Sequence, residues 1–573
     1  MLRRARGRVP IDKLVGSEVL LVIHSPATVD RLVDVRTVLH DHDDIKIRVT
    51  LEEGSRRSQF RMDGVRKRLS DLGIEPIPWR KAIRRRFDLV IATHATRGLL
   101  RLWWPNVIVM PHGAGYNRIL PSKTGSRKTP VGLSRKELTR LFGLLGPKVI
   151  CLSAEEQREQ LARGCRHLLA RVRVVGDPAY AFLRRSMVCW QSFRGWLGVG
   201  HDQRLIVITS TWTDESLYRR HKEIAARLLA QLPADRYKIV LVQHPNIAAM
   251  DSVFGIDCSL KTEKAAGLIV LPPYDGGWRA ALIAADLVIG DHGSVTFYAG
   301  AIDRPVLALR TGVAELAAES PFRDYLRLTS ELDPEGDLRT QIERAVADYR
   351  PGQFDEVVPH VIGVSEDGLE QLRAIIFERL GRERPTKPIR FDPVPKPAHD
   401  LPDRITSYQV RVVTRHRRGR LDEVKLERVP SAVADRAWQR SVEDVITVFE
   451  HDDVNIRDQE RCEIVLNFAI KERDAAEAWT AQAQEELPGV VVATTAHRDR
   501  DRVLMRLADG RLFTAVSVSR GKGVSPEQFA YMSSALLRAL VLNGDDVDSP
   551  GGIDVKVTMD PCEATIRIRP VDR

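Results

Sequence analysis

The chain has 573 residues, 43% of them hydrophobic, with 88 Lys and Arg against 77 Asp and Glu, a formal charge of +11. That length predicts about three to four domains with several buried cores. No apolar run approaches the roughly 20 residues that span a bilayer, and Val19–Ile23, after the basic leader, is too short for a signal segment, so a cytoplasmic protein is expected.

The charge is uneven. Residues 1–150 hold 30 Lys and Arg against 14 Asp and Glu, a surplus of 16, so the remainder carries −5. A basic first domain suits an anionic partner: a phosphorylated polymer, an anionic membrane surface such as the inner face of the membrane, or nucleic acid. Arg66-Lys67-Arg68 and Arg84-Arg85-Arg86 lack interleaved aromatics, which disfavours nucleic acid. The six cysteines show neither CxxC nor Cys/His ligand spacing, so reduced thiols and no zinc site are expected.

In chain order, Val19–Ile23 reads as a strand, Pro26 to His40 as a helix, and Ile45–Thr50 as a strand. A helix at Met62–Leu72, a short strand near Ile77, and strands at Phe87–Ala92 and Val107–Met110 follow. These strands end at His24, His94 and His112, and ligands of parallel sheets gather beyond carboxyl ends. Lys148–Leu152 and Val172–Val175 close the first set. A second set comprises Leu205–Ile208, a helix Tyr218–Leu232, Tyr237–Val242, Leu268–Leu271, a helix Trp278–Ala284, and the unit Leu287 to Leu309. In that unit a strand, the turn Gly290-Asp291-His292-Gly293-Ser294, a helix from Val295 to Ala301 and another strand succeed one another. Amide N–H groups at such a helix start, with a Ser hydroxyl, suit a phosphate.

Alternating strands and helices predict an α/β chain of two tandem Rossmann-like domains, the GT-B arrangement, at residues 1–187 and 188–381. Prolines crowd 382–404, which predicts an extended linker. Residues 405–573 predict a separate α+β domain, with helices at Ser431–Val448, Arg473–Glu486 and Pro526–Leu542 among several strands.

Three loops carry the chemistry: His112-Gly113-Ala114-Gly115-Tyr116-Asn117, Gln243-His244-Pro245-Asn246 and Gly290–Ser294. A fourth, Thr209-Ser210-Thr211-Trp212, joins them on the second domain. Imidazole is the side chain poised to accept an alcohol's proton near neutral pH. Gly113 and Gly115 would let backbone approach a phosphate. His24 and His94 read as structural, and Trp212 and Trp278 as packing residues.

The ordered set Pro111-His112-Gly113, His244-Pro245 and Asp291-His292-Gly293-Ser294-Val295-Thr296-Phe297 resembles the CDP-glycerol glycerophosphotransferase family of teichoic-acid polymerases, over roughly residues 18–380. The resemblance implies a transferase moving a polyol phosphate or related group from a nucleotide carrier to an anionic or lipid-linked acceptor, in cell-wall polymer synthesis. It implies His112 as general base and His244 as an essential donor-site residue. Asp291, Gly293 and Ser294, with Thr209, Ser210 and Thr211, would lie at the donor phosphates. Gly113, Gly115, Asn117 and Arg118 would contact acceptor or donor. Gly293 stands where that family often has the first of two serines. No cofactor is evident, although a divalent cation could accompany the donor. Two alternatives share the cleft: a nucleotide-sugar glycosyltransferase or UDP-N-acetylglucosamine 2-epimerase-like enzyme, and a non-catalytic nucleotide-binding scaffold.

Overall fold

A computed structural model of the chain describes residues 16–571 apart from 40, 53–61, 97, 103–105, 120–129, 140–145, 252, 364–366, 397–403, 437–444, 452–455, 471, 497–502 and 521–523. The basic leader 1–15 lies outside the described residues. The first sheet consists of β1 (Ser17–Ile23), β2 (Ile45–Leu51), β3 (Leu89–Ala92), β4 (Val107–Val109), β5 (Val149–Leu152) and β6 (Val172–Val174), in the order β2-β1-β3-β4-β5-β6. All its pairs are parallel. Leu20, Leu21, Val22 and Ile23 are each at most 2% exposed, since helices cover both faces of the sheet. The strand expected near Ile77 is a single bridge to Thr50, whose hydroxyl donates to the Ile77 carbonyl at 2.7 Å.

The second sheet holds β7 (Arg204–Thr209), β8 (Tyr237–Val242), β9 (Ile269–Leu271), β10 (Leu287–Gly290), β11 (Val306–Ala308) and β12 (Ser330–Glu331), in the order β12-β11-β10-β7-β8-β9. The helix expected over Tyr218–Leu232 is two, Leu217–Arg220 and Ile224–Gln231.

The chain then returns to the first domain ahead of the boundary expected at 381. Helices Val358–Ile362 and Gly368–Leu380 pack there, burying Val361, Leu369, Leu372 and Ile376. Asn106 holds the second of them by donating to the Arg379 carbonyl at 2.8 Å. The proline-rich segment is likewise no free linker where it is described. Ile389 and Val394 enter the core of the first domain, and the Val394 N–H donates to the Ser186 hydroxyl at 3.0 Å.

The C-terminal domain is a closed barrel of nine strands rather than a layered α+β domain. They are β13 (Ser407–Arg417), β14 (Arg420–Pro430), β15 (Val445–Glu450), β16 (Ile464–Asn467), β17 (Val492–Ala496), β18 (Val503–Leu507), β19 (Leu512–Arg520), β20 (Ile553–Met559) and β21 (Cys562–Pro570). The order β13-β14-β20-β21-β19-β18-β17-β16-β15 closes through an antiparallel β13–β15 pair. The helix Pro526–Asn543 buries Phe529, Met532, Leu536, Leu537 and Leu540 and touches β13, β14, β16, β17, β18, β20 and β21, so it fills the lumen. A Ser525 capping box with Gln528 starts it and left-handed Gly544 ends it. The helix expected at Ser431–Val448 is a 3-10 turn, Ser431–Arg436, followed after the undescribed 437–444 by β15, because pairing to β13 overrides local propensity.

The barrel docks on the second domain at Asp235 and Arg236, which precede β8. Arg428 donates to both Asp235 oxygens (2.5 and 2.6 Å) and lies over the rings of Tyr408 and Tyr531. Arg236 pairs with Asp560 at 2.5 Å. This is the amino-terminal end of the second sheet, opposite the end that bears the motif loops. Among the described residues no helix is long and apolar enough to cross a membrane.

Candidate active site

The motif loops follow the carboxyl ends of β4, β7, β8 and β10, and the two sheets turn those ends toward one cleft of about 380 Å³. His112, Gly113, Gly115, Asn117 and Arg118 line it from the first domain, and Thr209, Ser210, Thr211, His244, Gly293 and Ser294 from the second.

A buried ion pair and neighbouring hydrogen bonds clamp the domains on one flank. From the helix Val29–Leu39, Asp34 accepts two hydrogen bonds from Arg279 of the helix Gly277–Ala284, at 2.7 and 2.8 Å. On the same helix Arg31 pairs with Asp177 at 2.9 Å and donates to Tyr298 at 3.2 Å, while Asp30 accepts from the Trp278 indole at 3.0 Å. Arg31 also donates to the Gly113 carbonyl at 3.3 Å, so the clamp holds the His112 loop directly.

His112 is surrounded deeply by protein yet keeps more than a third of its surface open to the cleft. Desolvation, with His94, Arg31, His244 and Arg118 nearby, holds it well below the ordinary imidazole value, so it is neutral at pH 7. His244 is also depressed, chiefly by desolvation and then by Arg118. Its Nδ1 accepts the Asn246 N–H at 3.1 Å, which caps the helix Pro245–Asp251. The neutral ring therefore carries its proton on Nε2 and is a hydrogen-bond donor.

Opposite stands the start of the helix Ser294–Ala301, whose first-turn N–H groups have no intrahelical partner. The Ser294 hydroxyl accepts the Ala114 N–H at 3.2 Å, joining this cradle to the His112 loop. A Cβ on Gly113 would come within 2.6 Å of the Ser294 oxygen, and one on Gly115, at φ +71°, would collide with Gln157. Packing between loops thus favours glycine at both positions, and the positive φ favours it further at Gly115.

Other expected ligands are structural struts. Asp291 is fully buried and does not line the cleft. Its carboxylate accepts from Ser210 Oγ (2.8 Å) and from the N–H groups of Thr211 (3.0 Å), Leu217 (2.9 Å) and Gly293 (3.0 Å). It fixes the 209–212 loop beneath the cradle and occupies the Ser210 hydroxyl. Thr209 is 2% and Thr211 6% exposed, so each offers the cleft little but an edge. Asn117 donates to the Ala114 carbonyl and accepts from Ser320 at 2.7 Å. Arg118 pairs with Glu315 at 3.2 Å and lies over Trp212, so it faces the cleft with its charge already partnered. His292 meets the same carboxylate at 3.0 Å. Trp278 stacks on Tyr298.

The Arg31–Asp177–Tyr298 unit had no signal in the sequence, and His94, read there as structural, lines the cleft between His24 and His112. Among the described residues His221, Glu223 and Glu335 bring metal-capable atoms within 4.8 Å of one another. None lines the cleft, and Glu335 also pairs with Arg227.

No family model matches the chain, and no curated protein matches it. Solved structures similar to it include the wall teichoic acid polymerase TagF, at 13% identity and a TM-score of 0.45, covering 64% of this chain and 89% of that one. S. aureus MnaA, solved with UDP, is 13% identical, with 63% and 96% covered and a TM-score of 0.40. Anabaena HepE, solved with UDP-glucose, is 13% identical, with 63% and 99% covered and a TM-score of 0.38. Likenesses this distant carry no weight for activity.

Proposed function

We propose that the chain is a GT-B-type transferase that takes a nucleotide-linked donor, CDP- or UDP-activated, and moves its polyol-phosphate or sugar group to an acceptor hydroxyl. The observation that carries this reading is the opposition, within one cleft, of neutral His112 and of a helix start flanked by the donor ring of His244. The donor diphosphate would lie on the N–H groups at Ser294, where the helix dipole favours an anion. His244 Nε2–H would donate to the leaving nucleotide as charge gathers there. His112 would accept the proton of the attacking hydroxyl. A divalent cation could join the phosphates. The basic first domain suits an anionic or lipid-linked acceptor at a membrane surface.

The test is release of CMP, CDP, UMP or UDP from CDP-glycerol, CDP-ribitol, UDP-glucose and UDP-N-acetylglucosamine, with polyol-phosphate and lipid-linked acceptors present. His112→Ala should abolish release while leaving nucleotide binding within about threefold of wild type, because the donor cradle is untouched. No release from any donor would refute the transferase reading and leave the binding scaffold as the account of the cleft.

A further inference from the structure

A row of histidines lines the acceptor side of the cleft. His24 follows β1, His94 follows β3 and His112 follows β4, and these are neighbouring strands. Parallel strands lie about 4.8 Å apart. Ring centroids accordingly stand 5.1 Å apart for His24–His94 and 6.0 Å for His94–His112. A carboxylate stands beside the middle member of the row. His94 Nε2 lies 3.9 Å from Glu137 Oε1, on the one-turn helix Arg135–Leu138. The other carboxylate oxygen, Oε2, is occupied by the Gly132 N–H (3.0 Å), the Ser134 N–H (3.3 Å) and the Ser134 hydroxyl (2.5 Å). Gly132 makes the close fit: a Cβ there, at φ +92°, would lie 2.7 Å from the Tyr116 ring and 3.1 Å from His94. His94 Nδ1 is buried with no hydrogen-bond partner. Glu137 keeps about a quarter of its side chain exposed.

We infer that His94 and Glu137 form a proton exit for His112, His94 being a positioning and relay residue rather than a structural one. The inference rests on the transferase reading above. The acceptor hydroxyl loses its proton to one nitrogen of the His112 ring. The proton on the other His112 nitrogen passes to the unpartnered His94 Nδ1. His94 releases its Nε2 proton to Glu137, whose carboxyl loses it to solvent. Each imidazole ends neutral in its other tautomer, and the charge of the site is unchanged. The groups facing His94 suit this: His24 and His112 on its two sides, both neutral, Tyr116 behind, and Glu137 as its charged neighbour. Burial depresses His94 and Glu137 opposes that only in part, so a proton the ring receives is readily passed on to the carboxylate beside it.

Glu137→Gln separates relay from scaffold, since an amide oxygen still accepts from Ser134 and Gly132 while the NH₂ cannot take a proton. In the full-length protein labelled with ¹⁵N-histidine, the His94 signals are assigned by their loss in His94→Gln. Wild type should show the Nε2–H tautomer at His94. Glu137→Gln should shift it toward Nδ1–H and lower its titration midpoint by about half a pH unit or more. With a donor that wild type turns over, Glu137→Gln and His94→Gln should each lower kcat roughly 10- to 100-fold, with KM within about twofold. Imidazole should restore part of the rate to His94→Gly. An unchanged His94 tautomer and midpoint, or a Glu137→Gln kcat within about twofold of wild type, overturns the inference. Failure of wild type to turn over any donor defeats the transferase reading and, with it, the relay's role, whereas the spectra still decide whether His94 and Glu137 share a proton.

Discussion

Breaking the Asp34–Arg279 pair is the sharpest probe of how this cleft is held. The two side chains are 1% and 7% exposed and meet through two hydrogen bonds, at 2.7 and 2.8 Å, between helices of different domains. Burial raises the Asp34 carboxyl even with Arg279 against it, so desolvation offsets much of the attraction. The pair's importance should therefore appear when one member is left alone. Asp34→Ala strands a guanidinium among Phe182 and Trp278, with Asp30 as the remaining nearby carboxylate. Breaking a buried pair costs about 3–5 kcal/mol, and Asp30 should hold this case near about 3 kcal/mol. The combined variant Asp34→Leu, Arg279→Met removes both charges and should recover to within about 1 kcal/mol of wild type. Urea unfolding followed by tryptophan fluorescence reads both through the midpoint of the first transition, compared at equal m. A double variant as unstable as the sum of its singles would show that the two groups are not coupled, and the clamp would be refuted.

Other outcomes follow from the same geometry. The acid limb of kcat/KM should fall below pH 6.5, because His112 is depressed in the free protein; a limb at or above 6.5 in a pH–rate profile would contradict that. Stability should decline as pH drops below about 6.5, since His24, His94 and His244 stay neutral when folded while the unfolded chain binds protons. The loss sets in as pH falls through about 6.5 and continues toward the depressed folded values, at up to about 1.4 kcal/mol per histidine per pH unit, read as denaturation midpoints between pH 7.5 and 5.5. Gly113→Val should lower turnover strongly by pushing the His112 loop off Ser294, with the barrel's own unfolding transition unmoved in calorimetry. Deleting residues 404–573 should destabilise the second domain, because Asp235 loses Arg428 and the face around Ala234 is uncovered; unchanged melting of the truncated chain would show that the barrel is an independent appendage.

Local pattern carried much of the architecture. Apolar runs bounded by Gly, Pro and His marked the strands of both parallel sheets, since a strand buried on two faces needs little besides its own side chains to be recognised. The loops at His112, His244 and Gly290–Ser294 were legible for the same reason: chemistry-bearing residues sat at strand ends. Tertiary structure decided what those residues do. Asp291 and Asn117 looked like ligands in the motif, yet both spend their hydrogen bonds holding neighbouring loops. His94 read as structural from its strand end alone, and only the order β1-β3-β4 sets it between His24 and His112, with Glu137 3.9 Å from its Nε2. The barrel was hidden because closure depends on pairing strands distant in sequence, as with β14 and β20, and on a helix buried on every side from Phe529 to Leu537 inside the lumen. Sequence determined which elements form and which chemistry the loops carry. Sheet order and the buried pairs between domains decided which of those groups face one another, because such contacts join residues far apart along the chain.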